Sequence, residues 1–355
     1  MIDKPPVKFR RTPNTGSLPM PARNGNLDDL RQLAATTDEN WILTKGWILD
    51  ALKGHGPYMV LAITGEQGSA KSSLCRLLRD LVDPLKKAPL SSLPREEKDL
   101  GVDGSNEHLL VYDNVSFVPQ WLSDCLCRAS TGAGIKSRTL YTNDQQSVFD
   151  ICCPICLNGI PDYAESNDLL GRSLIINQPA IAEHDRLEEK KLAAMFQRVR
   201  AGSFGAILDM LSRGLRDSES TVLPGLPRMA DSAKWVTSCL GDTTFITEYQ
   251  RNIKNAIDLG LEASPIAAAI KELLSDGTTG FIPGHWEGTA TELLTKLDER
   301  VSYQQYVQKS YPKSAKALSN RLRRDAPAMR AVGINVEFQR TKSARYIAFS
   351  TVDSQ

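Results

Sequence analysis

Apolar residues in this chain recur in two rhythms. Met59-Val60-Leu61-Ala62-Ile63, Leu109-Leu110-Val111-Tyr112, Pro154-Ile155-Cys156-Leu157 and Leu174-Ile175-Ile176 are short continuous runs, the pattern of strands buried on both faces of a parallel sheet. Between them the spacing is helical: Trp41, Ile42, Trp47, Ile48, Ala51 and Leu52; Leu74, Leu77, Leu78 and Leu81; Trp121, Leu122, Cys125, Leu126 and Ala129. Thr36-Thr37-Asp38-Glu39 resembles a capping box at the head of the first set. Thr131-Gly132-Ala133-Gly134 closes the last. The two tryptophans of the first helix read as core or as a stacking platform. Strands alternating with helices predict an α/β fold with a mainly parallel sheet.

Two stretches break the alternation. Asp83 to Glu107 is polar, with Pro84, Pro89, Pro94 and the run Arg95-Glu96-Glu97-Lys98-Asp99, and reads as an exposed, partly helical insertion. Ile135 to Thr142, Asn143 to Gln146 and Ser147 to Phe149 read as a β-hairpin carrying Lys136 and Arg138 near its start. Beyond the last strand a long helix is expected from Glu183 to about Leu215, then a Pro/Gly break at Leu223 to Pro227. Helices follow from Ala233 to Leu240, Ile246 to Leu261 and Pro265 to Leu274, and Phe281 to His285 marks a boundary. The expected organisation is an extended arm (1–27), an α/β core (28–215), a helical lid or collar (216–284) and a C-terminal domain (285–355).

Charge refines this picture. The chain of 355 residues holds 43 Lys and Arg against 42 Asp and Glu, so any nucleic-acid surface must be local. It is local to the end: residues 286–350 hold 12 Lys and Arg against 6 Asp and Glu. In that tail the order of elements is short helices at Ala290 to Leu297 and Ser302 to Ser310, a basic helix from Ser314 to about Arg324, and two alternating strands around Val336 and Ile347. This is the order of a winged-helix domain. Lys313, Lys316, Asn320, Arg321, Arg323 and Arg324 lie in or beside its recognition helix, and Arg340, Lys342 and Arg345 flank the wing turn. Such cations neutralise DNA phosphates; a protein-interaction module or a solvated helix face is the other reading. No apolar run approaches a membrane span, and a cytoplasmic protein is expected. The seven cysteines include Cys153 and Cys156 at ligand-like spacing, but they sit in an apolar run with few histidines, as reduced core thiols do.

The candidate chemistry begins after the first strand. Gly65, Glu66, Gln67, Gly68, Ser69, Ala70, Lys71 and Ser72, with Ser73 next, form a phosphate-binding loop between strand and helix. Backbone N–H groups at a helix start cradle phosphate, Lys71 reaches the β- and γ-phosphates of ATP, and Ser72 holds Mg2+. Ala70 stands where glycine usually precedes the lysine. Asp113, ending the second strand, completes the magnesium shell with Ser72. Asn114 follows where many ATPases place a water-polarising glutamate. An amide is a poor general base, so hydrolysis rests on positioning and charge stabilisation or on an acid from elsewhere, Glu66 and Asp124 being candidates. Asn158 ends another strand and can touch the γ-phosphate or the attacking water.

The segments "GEQGSAKSS", "VYDNVS", "SRTLYTND", "LNGIPD" and "LLGRS", in this order, resemble the AAA+ ATPase core of superfamily III helicases. The likeness is to those of bacteriophages, prophages and other mobile elements, often joined to primase modules, and it covers about residues 28–215 well and the C-terminal region more loosely. It implies that Asn158 is the sensor asparagine, that Lys136 and Arg138 sit on the hairpin gripping single-stranded DNA in a ring channel, and that Arg172 acts at a neighbouring subunit's nucleotide. A homo-oligomeric ring, hexameric in such helicases, follows, with a primase or replication initiator as partner. Two bland readings stay open: Arg172 in a structural ion pair, and Lys136 and Arg138 on a solvated hairpin edge. The sequence therefore predicts an ATP-dependent DNA helicase or translocase of mobile-element replication; the alternative is a nucleotide-dependent DNA-binding switch with slow or no hydrolysis.

Overall fold

A computed structural model describes residues 11–138, 146–159, 167–262, 264–275, 284–307, 311–341 and 345–351, without the side chains of 135–148, 167, 259–262 and 305. Helices α1 (Asp28–Ala34) and α2 (Asp38–Ala51) lead into strand β1 (Val60–Thr64) and helix α3 (Lys71–Val82). Then come α4 (Glu97–Asn106), β2 (Leu110–Val115), α5 (Gln120–Thr131), β3 (Ile135–Arg138), β4 (Gln146–Phe149), β5 (Ile155–Gly159), α6 (Asn167–Leu170) and β6 (Ser173–Asn177). Four helices follow: α7 (Glu189–Asp217), α8 (Ala230–Leu240), α9 (Thr244–Glu262) and α10 (Pro265–Ser275). The chain continues through β7 (His285–Thr289), α11 (Ala290–Asp298), α12 (Tyr303–Tyr306), α13 (Ala315–Ala331), β8 (Ile334–Arg340) and β9 (Arg345–Thr351). Contacts divide the chain into two compact units, Met1–Tyr163 with Arg172–Asn252, and Ala164–Gly171 with Ile253–Gln355.

The first unit is built on a four-stranded sheet in the order β2-β5-β1-β6, with every pair parallel. All residues of β1 and β5 are buried, which is why both read as continuous apolar runs. Helix α3 packs through Leu74, Leu77, Leu78 and Leu81, and α5 through Leu122, Cys125, Leu126 and Ala129. Trp41 and Trp47 both lie in the core. Their polar ends are satisfied there, Trp41 Nε1 donating to Asp28 Oδ1 (3.0 Å) and Trp47 Nε1 to the Met59 carbonyl (2.9 Å). Helix α2 is capped one residue later than the sequence pattern suggests: Thr37 Oγ1 accepts from Asn40 N.

Three features of this unit were less legible. Residues 12–26 are tied to the body: Gly16 N donates to the Pro84 carbonyl and Ala22 N to the Ala201 carbonyl. The insertion is fastened by Arg79, which is fully buried. Its guanidinium donates to the Pro89 and Leu109 carbonyls and pairs with Glu107 (2.8 Å) and Asp83 (3.3 Å). The long helix begins at Glu189 rather than Glu183, because Glu183–Asp185 form a separate 3-10 turn. The hairpin exists as β3 against β4, antiparallel, with Lys136 opposite Val148 and Arg138 opposite Gln146. Its tip lies outside the described residues.

The second unit contains a three-stranded antiparallel sheet, β7-β9-β8. Its core gathers Ile270, Trp286, Leu293, Leu297, Leu318, Leu322 and Phe349. Trp286 sits opposite Phe349 across β7 and β9, ring centroids 5.9 Å apart. Thr289 and Glu292 form a reciprocal capping box that starts α11. Strand β7 is an addition to the elements read from sequence, and α13 runs through Pro327 to Ala331, beyond the expected end near Arg324.

Candidate functional site

In a parallel α/β sheet, loops and side chains at the carboxyl ends of the strands meet in one place. Here that place holds the Gly65–Ala70 loop, Asp113 and Asn158. The loop turns tightly: Gly65 has φ +139°, Gly68 +84° and Ala70 +56°. A Cβ on Gly65 would stand 2.5 Å from the Gln178 carbonyl oxygen, so a side chain is excluded there. Ala70 adopts the left-handed conformation at the N-cap of α3, which costs a non-glycine residue about 1 kcal/mol. The first turn of α3 carries no acidic side chain, leaving its N–H groups and positive dipole end facing the loop without a carboxylate of their own.

Lys71 Nζ points back into the loop, donating to the Gly65 (2.8 Å) and Glu66 (2.6 Å) carbonyls and to Ser69 Oγ (3.3 Å). Ser69 Oγ in turn donates to the Glu66 carbonyl (2.8 Å). Glu66, Gln67 and Gly68 are exposed at the tip. The next two helical residues, Ser72 and Ser73, are half-buried.

Ser72, Asp113 and Asn158 form one hydrogen-bonded cluster. Ser72 Oγ donates to Asp113 Oδ1 (3.0 Å), and Asn158 Nδ2 donates to Ser72 Oγ (3.0 Å) and to Asp113 Oδ1. Asn158 is 2% exposed, and its Oδ1 is buried with no hydrogen-bond partner. Such an orphaned acceptor calls for a donor or a cation. Strand β2 is irregular between Tyr112 and Val115, and a bulge of this kind re-aims side chains at a strand end. Asn114 sits in the bulge with φ +56°, its backbone N–H donating to Asp113 Oδ1 (2.9 Å). Asparagine tolerates that conformation better than most residues. The oxygens of Ser72 and Asp113 are hard ligands of the type magnesium prefers. Beneath the cluster, Cys75 and Cys156 touch at 3.8 Å between sulfurs. Cys75 is pushed well up in pKa, first by its contact with Cys156 and then by burial, which suits an inert core thiol. Asp124, the other candidate acid, lies on α5 and accepts from Gln120 Nε2.

Residues 26–255 match the family of actinomycete integrative conjugative element replication proteins, and residues 266–355 match the AICE RepA C-terminal domain. The chain belongs to this family. It is a replication protein of a mobile element, as the sequence led one to expect. No curated protein matches it. Among solved structures it is similar to the A form of the apo NrS-1 C-terminal region at 12% identity and a TM-score of 0.43, over 97% of this chain and 79% of that one. Two further apo structures of the same region give TM-scores of 0.40 at the same identity and coverage.

The remaining site residues of this replication protein lie elsewhere. Arg172 precedes β6, and its carbonyl accepts from Val60 N at the amino end of β1 (3.0 Å). Strand β1 separates it from its own loop by about 15 Å, at roughly 3.3 Å per residue. In the second unit, Lys316, Asn320 and Arg323 are exposed at i, i+4 and i+7 on α13, with Arg324 beside them, while Leu318 and Leu322 face the core. Two of the predicted cations are engaged internally. Arg321 Nε pairs with the buried Asp325 (2.8 Å), and Lys313 Nζ lies over the Tyr306 ring, 3.4 Å from its centre. Arg323 stacks on Phe338, its guanidinium carbon 4.2 Å from the ring centre, which pre-orients it at the surface. Lys342 lies outside the described residues. No helix among the described residues is long and apolar enough to cross a membrane.

Proposed function

We propose that this protein is an ATP-driven motor of mobile-element replication, an AAA+ helicase or translocase of the superfamily III type. The observation that carries the reading is the cluster of Ser72, Asp113 and Asn158 beside the Lys71 loop at the carboxyl edge of the parallel sheet. The loop from Gly65 to Ser73 would hold the phosphates, Lys71 leaving its loop carbonyls for the anion. Ser72 and Asp113 would hold Mg2+, whose charge neutralises phosphate oxygens. Asn158, with one amide face on that pair and an unpartnered oxygen, orients a water or donor. Asp113, already an acceptor for three donors, fixes the geometry.

Arg172 is proposed to serve a neighbouring subunit. Its distance from the loop of its own chain supports that role, since a guanidinium acts on phosphoryl charge only at contact. The element order α11-α12-α13-β8-β9, with β7 on β9, supports a winged helix that meets DNA through Lys316, Asn320, Arg323 and Arg324. Lys136 and Arg138 are proposed to grip single-stranded DNA from the β3-β4 hairpin. A slower nucleotide switch is the second reading, favoured by Asn114, whose amide stands in the bulge where an acid would serve as base.

Strand displacement on a forked duplex tests the motor reading. The wild-type chain is expected to unwind with ATP and Mg2+ and Lys71→Ala to fail; unwinding by Lys71→Ala equal to wild type would refute it.

A further inference from the structure

Resting on that reading of the Lys71 loop, we propose that Arg186 is a second cation of the nucleotide site, one that contacts the terminal phosphate held by its own chain. The segment after β6 is strapped across the loop and fixed at both ends. At one end Gln178 N donates to the Thr64 carbonyl (2.8 Å), and the buried Gln178 amide donates to the Ala34 and Ala35 carbonyls. At the other, Glu189 at the start of α7 pairs with Arg76 on α3. Between these anchors the 3-10 turn Glu183–Asp185 delivers Arg186, whose backbone N–H caps the turn on the Glu183 carbonyl.

The guanidinium of Arg186 then reaches Gly68: its terminal nitrogen lies 3.3 Å from where a Cβ on that glycine would be. Arg186 is exposed and has no carboxylate partner among the described residues. Lys71 is likewise answered only by neutral oxygens, and the first turn of α3 is free of acids. Two cations and a helix start therefore converge on one loop, neither cation paired with a carboxylate among the described residues, the electrostatic setting of a phosphate site. An arginine there offers a planar fork of donors that a lysine cannot reproduce. Arg172, at the far end of β1, has no access to this place; Arg186 and Arg172 divide the task between the chain's own nucleotide and its neighbour's. The stretch Glu183-His184-Asp185-Arg186 reads as mixed helix-surface charge, so nothing in its pattern marks the arginine.

Binding of fluorescent ATP and ADP analogues to the full chain, with Mg2+, tests this. Arg186→Ala is expected to weaken ATP binding about tenfold to a hundredfold, the worth of a charge-assisted hydrogen bond to phosphate, and ADP binding less than about threefold. Arg186→Lys should recover part of the loss, and Arg95→Ala, a surface control, should bind as wild type. Equal weakening for ATP and ADP, or ATP binding by Arg186→Ala equal to wild type while Lys71→Ala loses it, would overturn the assignment of Arg186 and leave the loop's role standing. Absence of ATP binding by the wild-type chain would overturn that role and this inference with it.

Discussion

Ala70 is the residue at which sequence pattern and physics pull hardest against each other. It occupies a left-handed position that glycine would fill without strain, directly before the lysine on which the loop depends. Ala70→Gly should therefore raise stability by about 1 kcal/mol, seen as a melting temperature higher by about 2 °C, with nucleotide affinity retained; a lower melting temperature would show that the Cβ is stabilising. Asn114 is the opposite case, an unexpected residue in an unusual conformation that suits it. Asp113 binds the cluster together, accepting from Ser72, Asn158 and Asn114. Asp113→Ala should cut the rate of phosphate release by about a hundredfold or more while leaving the fold intact, as checked by circular dichroism. A variant that turns over ATP normally would remove Asp113 from the site.

At the scale of elements, the strands were easiest to read because burial on both faces of a parallel sheet leaves no polar position to blur the run, as β1 and β5 show. The same holds for α3 and α5, each with one apolar face. What the pattern could not reveal was held by long-range polar contacts. Arg79 reads as a surface residue on α3, yet it is the fully buried anchor of the insertion, and burial raises the pKa of its partner Glu107. Arg79→Ala would leave that carboxylate and two carbonyls without their donor, so a loss of about 3 kcal/mol or more is expected in urea unfolding. A change below about 1 kcal/mol would mean that the insertion holds itself. Strand β7, with Glu287 and Gly288 in its middle, escaped the pattern because its strand character comes from pairing with β9. The basic helix was legible as a charge cluster but not in its partition: Arg321 is committed to Asp325, whereas Lys316, Arg323 and Arg324 are exposed. Changing those three to alanine should reduce the salt dependence of DNA binding by about three phosphate contacts' worth; an unchanged salt slope would assign the helix to another partner.

For the whole molecule, near-zero net charge conceals a division of labour between a parallel α/β unit with the candidate nucleotide site and a second unit with a basic helix. The proposed motor requires assembly, because Arg172, the arginine proposed to serve a neighbour's nucleotide, stands at the far end of β1 from the loop of its own chain. Mixing Arg172→Ala with Lys71→Ala subunits should then restore some turnover that neither has alone, and failure to restore any would return Arg172 to a structural role. The most direct measurement is the rate of phosphate release from ATP with Mg2+, with and without single-stranded DNA, for the wild-type chain and Lys71→Ala. The account predicts turnover that DNA stimulates and that Lys71→Ala abolishes. Wild-type turnover no faster than that of Lys71→Ala, with DNA present, would contradict it.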